Sequence, residues 1–151
     1  ETFVTKKIIM ALCRIKLNKQ KKLFLGNLDA KRDWGHAKDY VQAMWKMLQN
    51  KTPKDYVIAT GKNYSVKNFI DTATNVLNLK TKWVGKGLNE KLINLKDKKI
   101  IVEIDKKYFR PTEVETLKGD FSKALKELNW KPKTNFKNLV KMMISADLKR
   151  Y

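Results

Sequence analysis

Residues 23–45, LFLGNLDAKRDWGHAKDYVQAMW, decide the fold. Leu23-Phe24-Leu25 is a short apolar run, Gly26-Asn27-Leu28-Asp29 carries turn-forming residues, Arg32-Asp33 makes a charged elbow, and from His36 the apolar positions 37, 41, 44, 45 and 48 follow a helical period. A buried strand, a polar elbow and a helix in that order are the parts of an α/β protein, and a ligand sits best where loop side chains project from rigid supports.

The flanking elements extend the pattern. Residues 3–17 place Val4, Ile8, Ile9, Leu12 and Ile15 on one helical face, with Lys6, Lys7, Arg14 and Lys16 between them. The helix at 36–49 ends at Asn50-Lys51-Thr52-Pro53. Tyr56-Val57-Ile58-Ala59-Thr60 is a β-favouring run that predicts a strand buried on both faces of a parallel sheet. Ser65 caps a predicted helix with apolar positions at 66, 69, 70, 73, 76 and 77, and residues 81–85 and 99–105 read as strands. The polar stretch 86–98 predicts a mobile loop. Asp120 and Thr134 mark the starts of two closing helices, the second burying Phe136, Leu139, Val140, Met143 and Ile144. Alternating helices and strands make the fold class α/β in a single domain of 151 residues, with no repeat and no linker.

Composition narrows the chemistry. The single cysteine, Cys13, lies among Ala11, Leu12 and Ile15 and reads as a small core residue of a reducing compartment, so no disulfide within the chain is expected. One His and one Cys cannot furnish three or four soft metal ligands, and His36, at the start of a helix, reads as a capping or packing residue. No apolar run approaches membrane-spanning length and no signal-peptide pattern opens the chain, which predicts a soluble, cytoplasmic protein with no membrane partner. The net charge of +19 suggests a nucleic-acid binder, yet the lysines are spread along the whole chain and only four of 34 basic residues are arginines, the side chain that tight phosphate clamps and base readout favour. A solvated lysine surface is the better reading, one that still steers phosphorylated ligands inward.

Against that background Arg32 and Arg110, both in turn-like segments after strands, are the informative cations. A guanidinium grips two oxygens of a diphosphate in one plane, a contact worth roughly 1.5 to 3 kcal/mol. Local pairs with Asp33 and Glu113 are the plainer readings of these two arginines. Glu113, three residues past Arg110, can accept hydrogen bonds from ribose hydroxyls or guanine N–H groups. Asn27 offers a donor and an acceptor beside Gly26, where the backbone can approach a ligand closely. Lys7 adds a mobile positive charge, and Trp34 and Trp45 read as core residues flanking a helix face.

Three blocks, ETFVTKKI at 1–8, LGNLDAKRDWGHAKDYVQAMW at 25–45 and YFRPTEVETL at 108–117, together resemble GDP-mannose 4,6-dehydratases, extended short-chain dehydrogenase/reductases that act on a sugar nucleotide. In order and spacing they span nearly the whole chain and correspond to the C-terminal half of that family: the last elements of its Rossmann sheet plus a smaller α/β substrate-binding domain. The resemblance implies that the nucleotide of GDP-mannose lies against Val4, Lys7, Leu25, Asn27, Arg32, Arg110 and Glu113. It implies NADP as the cofactor, held mainly by an N-terminal half absent from this sequence, and a complete enzyme that is a homo-oligomer making GDP-4-keto-6-deoxymannose, the precursor of fucose. The helix at 36–49 and the run at 56–60 would return to the dinucleotide-binding sheet. No GxGxxG is present, and Tyr40, Tyr56, Tyr64 and Tyr108 all lack a lysine four residues on, so the chain carries no expected catalytic residue and needs its N-terminal half, in cis or in trans, for turnover. A related sugar-nucleotide epimerase or reductase and a basic nucleic-acid-binding module are the alternatives.

Overall fold

The structure is a computed structural model that describes residues 3–109 and 114–151. Helix α1 (Val4–Lys16) buries Ile8, Ile9, Leu12, Cys13 and Ile15 and ends where Asn18 turns to φ 59°, with the Lys19 N–H returning to the Arg14 carbonyl at 2.8 Å. Strand β1 (Leu23–Leu25) turns Leu23 and Leu25 into the core and Phe24 outward. It pairs in parallel with β6 (Ile100–Ile104), Leu23 opposite Val102 and Leu25 opposite Ile104. Strands β4 (Thr81–Val84) and β5 (Lys91–Asn94) complete an antiparallel extension, giving the order β1-β6-β5-β4. Helices α1, α3 (Val66–Val76) and α5 (Phe136–Leu148) contribute to one apolar core with this sheet, centred on Ile8, Leu12, Phe69, Ile70, Val102 and Val140.

The predicted caps hold in one case and move in two. Ser65 and Asn68 form a reciprocal capping box at the start of α3, each side chain bonding the other's backbone N–H. Helix α5 is capped one residue later than expected, by Asn135, whose carbonyl oxygen accepts from the Asn138 N–H at 2.9 Å. Helix α4 (Ser122–Leu128) starts from Phe121, while Asp120 bonds the Ser122 N–H and hydroxyl from outside the helix.

Two expectations about loops and strands fail. The stretch 86–98 is not a mobile loop: a 3-10 turn at Gly87–Asn89 leads into β5, whose Leu92 is fully buried, and a tight turn with Lys98 at φ 60° returns the chain to β6. Flanking lysines and asparagines mask so short an apolar run, although Lys91 is drawn into the sheet by its ion pair with Glu103 at 3.0 Å. The run 56–60 is extended but belongs to no sheet, because no strand lies beside it among the described residues. Tyr56 and Ile58 instead pack on a second, smaller apolar cluster built on Ala43, Ala124, Leu128 and Trp130, while Val57 faces solvent.

That smaller cluster joins α2 (Ala37–Leu48) to α4, and Asp39 anchors it. The buried Asp39 carboxylate accepts from the backbone N–H groups of Lys133 (3.1 Å) and Thr134 (2.8 Å), and its carbonyl accepts from the Trp130 indole at 2.9 Å. Burial pushes the Asp39 carboxyl up, but the hydrogen bonds from Thr134 and Lys133 and the nearby His36 outweigh it, so the group sits below its ordinary value. A depressed carboxyl stabilises the fold at pH values above its unfolded value near 3.8, and that contribution is lost as pH falls through the lower, folded value. Asp39→Ala is expected to cost about 2 kcal/mol, since two backbone donors lose their acceptor, and to flatten the acid limb of a thermal-stability profile recorded from pH 7 to 2. An unaltered acid limb would show that Asp39 is not the anchor.

The outer face of α2 is uncovered. Val41, Met44, Trp45 and Leu48, one helical stripe, are 60, 57, 61 and 82 % exposed. Trp45 is therefore not a core residue as expected, whereas Trp34 is partly buried against the main core, edge-on to Phe69 with ring centroids 5.1 Å apart.

Candidate functional site

The elbow after β1 is fixed from several sides. Asn27 Oδ1 accepts from the N–H groups of Asp29 (2.9 Å) and Ala30 (3.3 Å), closing an Asx turn and leaving the amide nitrogen as the group available to a ligand. Strand β2 (Lys31–Arg32) pairs with β3 (Tyr64–Ser65), and residues 114–117 run beside it: Lys31 N–H bonds the Glu115 carbonyl at 2.7 Å and Leu117 N–H bonds the Lys31 carbonyl at 3.1 Å. Arg32 Nη1 donates to the carbonyls of Lys31 (2.8 Å) and Val114 (2.7 Å). The Asp33 carboxylate binds the N–H groups of Thr60 (2.9 Å), Gly61 (3.0 Å) and Gly119 (3.4 Å) and the Thr60 hydroxyl, so one side chain ties three segments together. Behind β2 an aromatic pile supports the arrangement: Tyr64 stacks on Phe136 at 3.9 Å, and Phe136 stacks on Trp34 at 6.0 Å.

Arg110 and Glu113 lie outside the described residues. The Val114 carbonyl accepts from Arg32, so the elbow and the described residues 114–117 are brought together at that hydrogen bond. Among the described residues, the remaining predicted residues border separate hollows. Asn27 lines a cavity of about 480 Å³ with Lys31, Glu90, Phe109 and Glu115. Arg32 lines one of about 450 Å³ with Asp33, Trp34 and Leu117. Lys7 lines a third, of about 230 Å³, with Arg14, Gln20, Phe24 and Tyr108. The Leu25 side chain is buried in the core and its carbonyl accepts from the Asp105 N–H at 2.8 Å, so it serves as wall and support. Val4 packs partly buried against the same core.

Two residues that the sequence did not single out hold these walls. Glu90, which lines the cavity beside Asn27, is paired with Lys67, whose ammonium lies 4.9 Å from the Trp83 ring centroid. Tyr108 carries the Lys7 ammonium over its ring. Glu90 carries no sequence signal and Tyr108 only its place in the 108–117 block, because the roles of both depend on contacts between distant segments. Cys13 is fully buried, with its thiol pushed up to about 11 by burial and by the nearby Asp147 against the opposing pull of Lys6, and no group of three His, Cys, Asp or Glu residues that could hold a metal ion occurs among the described residues. No helix among the described residues is long and apolar enough to cross a membrane.

Residues 1–143 match the family model of GDP-mannose 4,6 dehydratase. The chain is 53% identical over 148 residues to GDP-mannose 4,6 dehydratase 1 of Arabidopsis thaliana, 51% over 149 residues to the Drosophila melanogaster GDP-mannose 4,6 dehydratase, and 49% over 146 residues to the human one. These alignments cover 98, 98 and 97% of this chain but 36, 38 and 39% of those proteins, so the chain spans about two fifths of the length of the curated relatives it matches. Among solved structures, RMD from Pseudomonas aeruginosa complexed with NADPH superposes with a TM-score of 0.79 at 17% identity, over 99% of this chain and 44% of that one. A Bifidobacterium longum UDP-glucose 4-epimerase in complex with NAD+ and UDP superposes at 0.69, also 17% identical, over 99% and 40%. The structural matches carry the α/β fold, the sequence matches carry the family, and the chain belongs to the GDP-mannose 4,6-dehydratase family.

Proposed function

We propose that this chain is the substrate-binding, C-terminal part of a GDP-mannose 4,6-dehydratase, and that its task is to hold the GDP of GDP-mannose while the sugar is converted to the 4-keto-6-deoxy product. The observation that carries the reading is Arg32: on a braced strand, with its guanidinium already bonded to the carbonyl of the residue after Glu113, it stands where the two arginine-bearing blocks meet. Asn27, on the same elbow, and Lys7, at the start of α1, supply further polar groups to the nucleotide, Glu113 accepts from the ribose, and Arg110 is the second diphosphate clamp.

The residues of this chain do not fit a nicotinamide site, for want of the glycine-rich loop and of a tyrosine with a lysine four residues on. NADP and the acid-base groups therefore belong to the N-terminal half, and no hydride step is derived through the residues present. The bare stripe on α2 and the unpaired 56–60 run support a place for both beside the dinucleotide-binding sheet of that half. The homo-oligomer and the cytoplasmic setting follow the same reading.

Titrating the chain with GDP and, separately, with single-stranded and duplex DNA at several salt concentrations tests the proposal. The expected outcome is saturable GDP binding that DNA does not displace. A steep salt slope for DNA with no GDP competition would make the chain a polyanion-binding module.

A further inference from the structure

The hollow that Arg32 borders is walled by Asp33, Trp34 and residues 117–119. The segment 114–119 lies along the elbow and is tied to it at several points. At one end the Val114 carbonyl accepts from Arg32 Nη1 at 2.7 Å. In the middle the backbone of Lys31 bonds the Glu115 carbonyl and the Leu117 N–H. At the other end the Gly119 N–H donates to the Asp33 carboxylate at 3.4 Å. Two consecutive side chains, Arg32 and Asp33, thus hold the two ends of one segment.

The Asp33 carboxylate also fastens this pair of segments to a third. Its Oδ1 accepts from the Thr60 N–H at 2.9 Å and from the Thr60 hydroxyl, and its Oδ2 from the Gly61 N–H at 3.0 Å. Two of the residues that cradle it are glycines for steric reasons. Gly61 stands at φ +73°, in the left-handed region, and a Cβ on Gly119 would lie 2.3 Å from that of Ala59. Both carboxylate oxygens face donors, so the cradle asks for two acceptors; an amide in that place would turn its NH2 on one of the N–H groups. Arg32 itself stands on a strand of two residues, a ladder too short to be a firm support alone.

We propose that Asp33 is a positioning residue: by fastening the elbow and residues 114–119 to the turn at 60–61, it keeps Arg32 and the Val114 carbonyl in the relative place from which the guanidinium grips a diphosphate. The inference rests on the GDP reading above and deepens it by naming what holds the grip.

The test measures GDP affinity by calorimetry on the 151-residue chain as wild type, Asp33→Asn, Arg32→Lys and the double variant, with the melting temperature of each. Asp33→Asn is expected to weaken GDP binding about tenfold in the wild-type background and less than about twofold in the Arg32→Lys background, since a grip already lost cannot be misplaced. A side chain that only stabilised the fold would lower affinity by the same factor in both. Thr60→Val removes one donor to Asp33 while keeping the side-chain shape and the backbone N–H. It is expected to show the same dependence on Arg32 with a loss of about threefold, so the cycle can be closed even where Asp33→Asn does not fold. Equal losses in the two backgrounds, or either variant binding GDP as the wild type does, overturn the proposal and leave the GDP site intact. Absence of GDP binding by the wild type overturns the GDP reading, and this proposal with it.

Discussion

Arg32→Lys is expected to weaken GDP binding about tenfold or more, because an ammonium keeps the charge but loses the planar two-pronged grip. The effect exceeds that of a neighbouring lysine because Arg32 has two tasks. Its Nη1 bonds the Val114 carbonyl at 2.7 Å, so it orders the segment that follows Glu113 and is held in place as it does so. A lysine can reach that carbonyl or a phosphate oxygen, not both in a fixed plane. The folded state depends little on the substitution, since β2 is held by its backbone bonds to Glu115 and Leu117, so the melting temperature should stay within a few degrees. Affinity measured by calorimetry on the wild type and the variant separates these quantities. Equal affinities would remove Arg32 from the site.

The second large effect concerns association. A stripe of Val41, Met44, Trp45 and Leu48 at 57 to 82 % exposure, beside an extended run with no strand partner, is a surface that water disfavours. The chain by itself is expected to self-associate at micromolar concentration, and Trp45→Lys combined with Leu48→Lys to shift it to monomer in analytical ultracentrifugation, with the melting temperature unchanged because neither side chain reaches the core. If α2 and the 56–60 run meet the dinucleotide sheet of the N-terminal half, adding that half should suppress self-association in the wild type and fail to bind the double variant. A wild-type chain that stays monomeric would show that the stripe is tolerated by water and needs no cover.

Much of this architecture is legible in the residues. The β1–elbow–α2 stretch, the amphipathic faces of α1, α3 and α5 and the Ser65 cap all follow from periodicity and local chemistry, which depend on neighbours a few positions away. The errors have a common cause. Helix α2 has an apolar stripe whose period gives its direction but not its partner, so the pattern places Trp45 in a core although it is 61 % exposed among the described residues. The run at 56–60 has strand composition without a neighbouring strand, and β5 has a strand neighbour without a long apolar run. Pairing between distant segments, which composition does not encode, decided both. The site divides in the same way. Arg32 and Asn27 were visible because a rare arginine and a Gly-Asn turn stand out in a lysine-rich chain, whereas Tyr108 and the Asp33 and Asp39 anchors act through partners far away in sequence: Lys7, residues 60, 61 and 119, and residues 133 and 134.

The convergence of the elbow, the start of α1 and the 108–114 block on one nucleotide is tested most directly by following the GDP titration residue by residue with NMR. One site predicts that the signals of Lys7, Asn27, Arg32, Tyr108 and Val114 shift together along a single saturation curve, with the exposed lysines of α5 unmoved. Shifts spread over the lysines of the whole surface and vanishing at high salt, with the Arg32 guanidinium signal stationary, would contradict it.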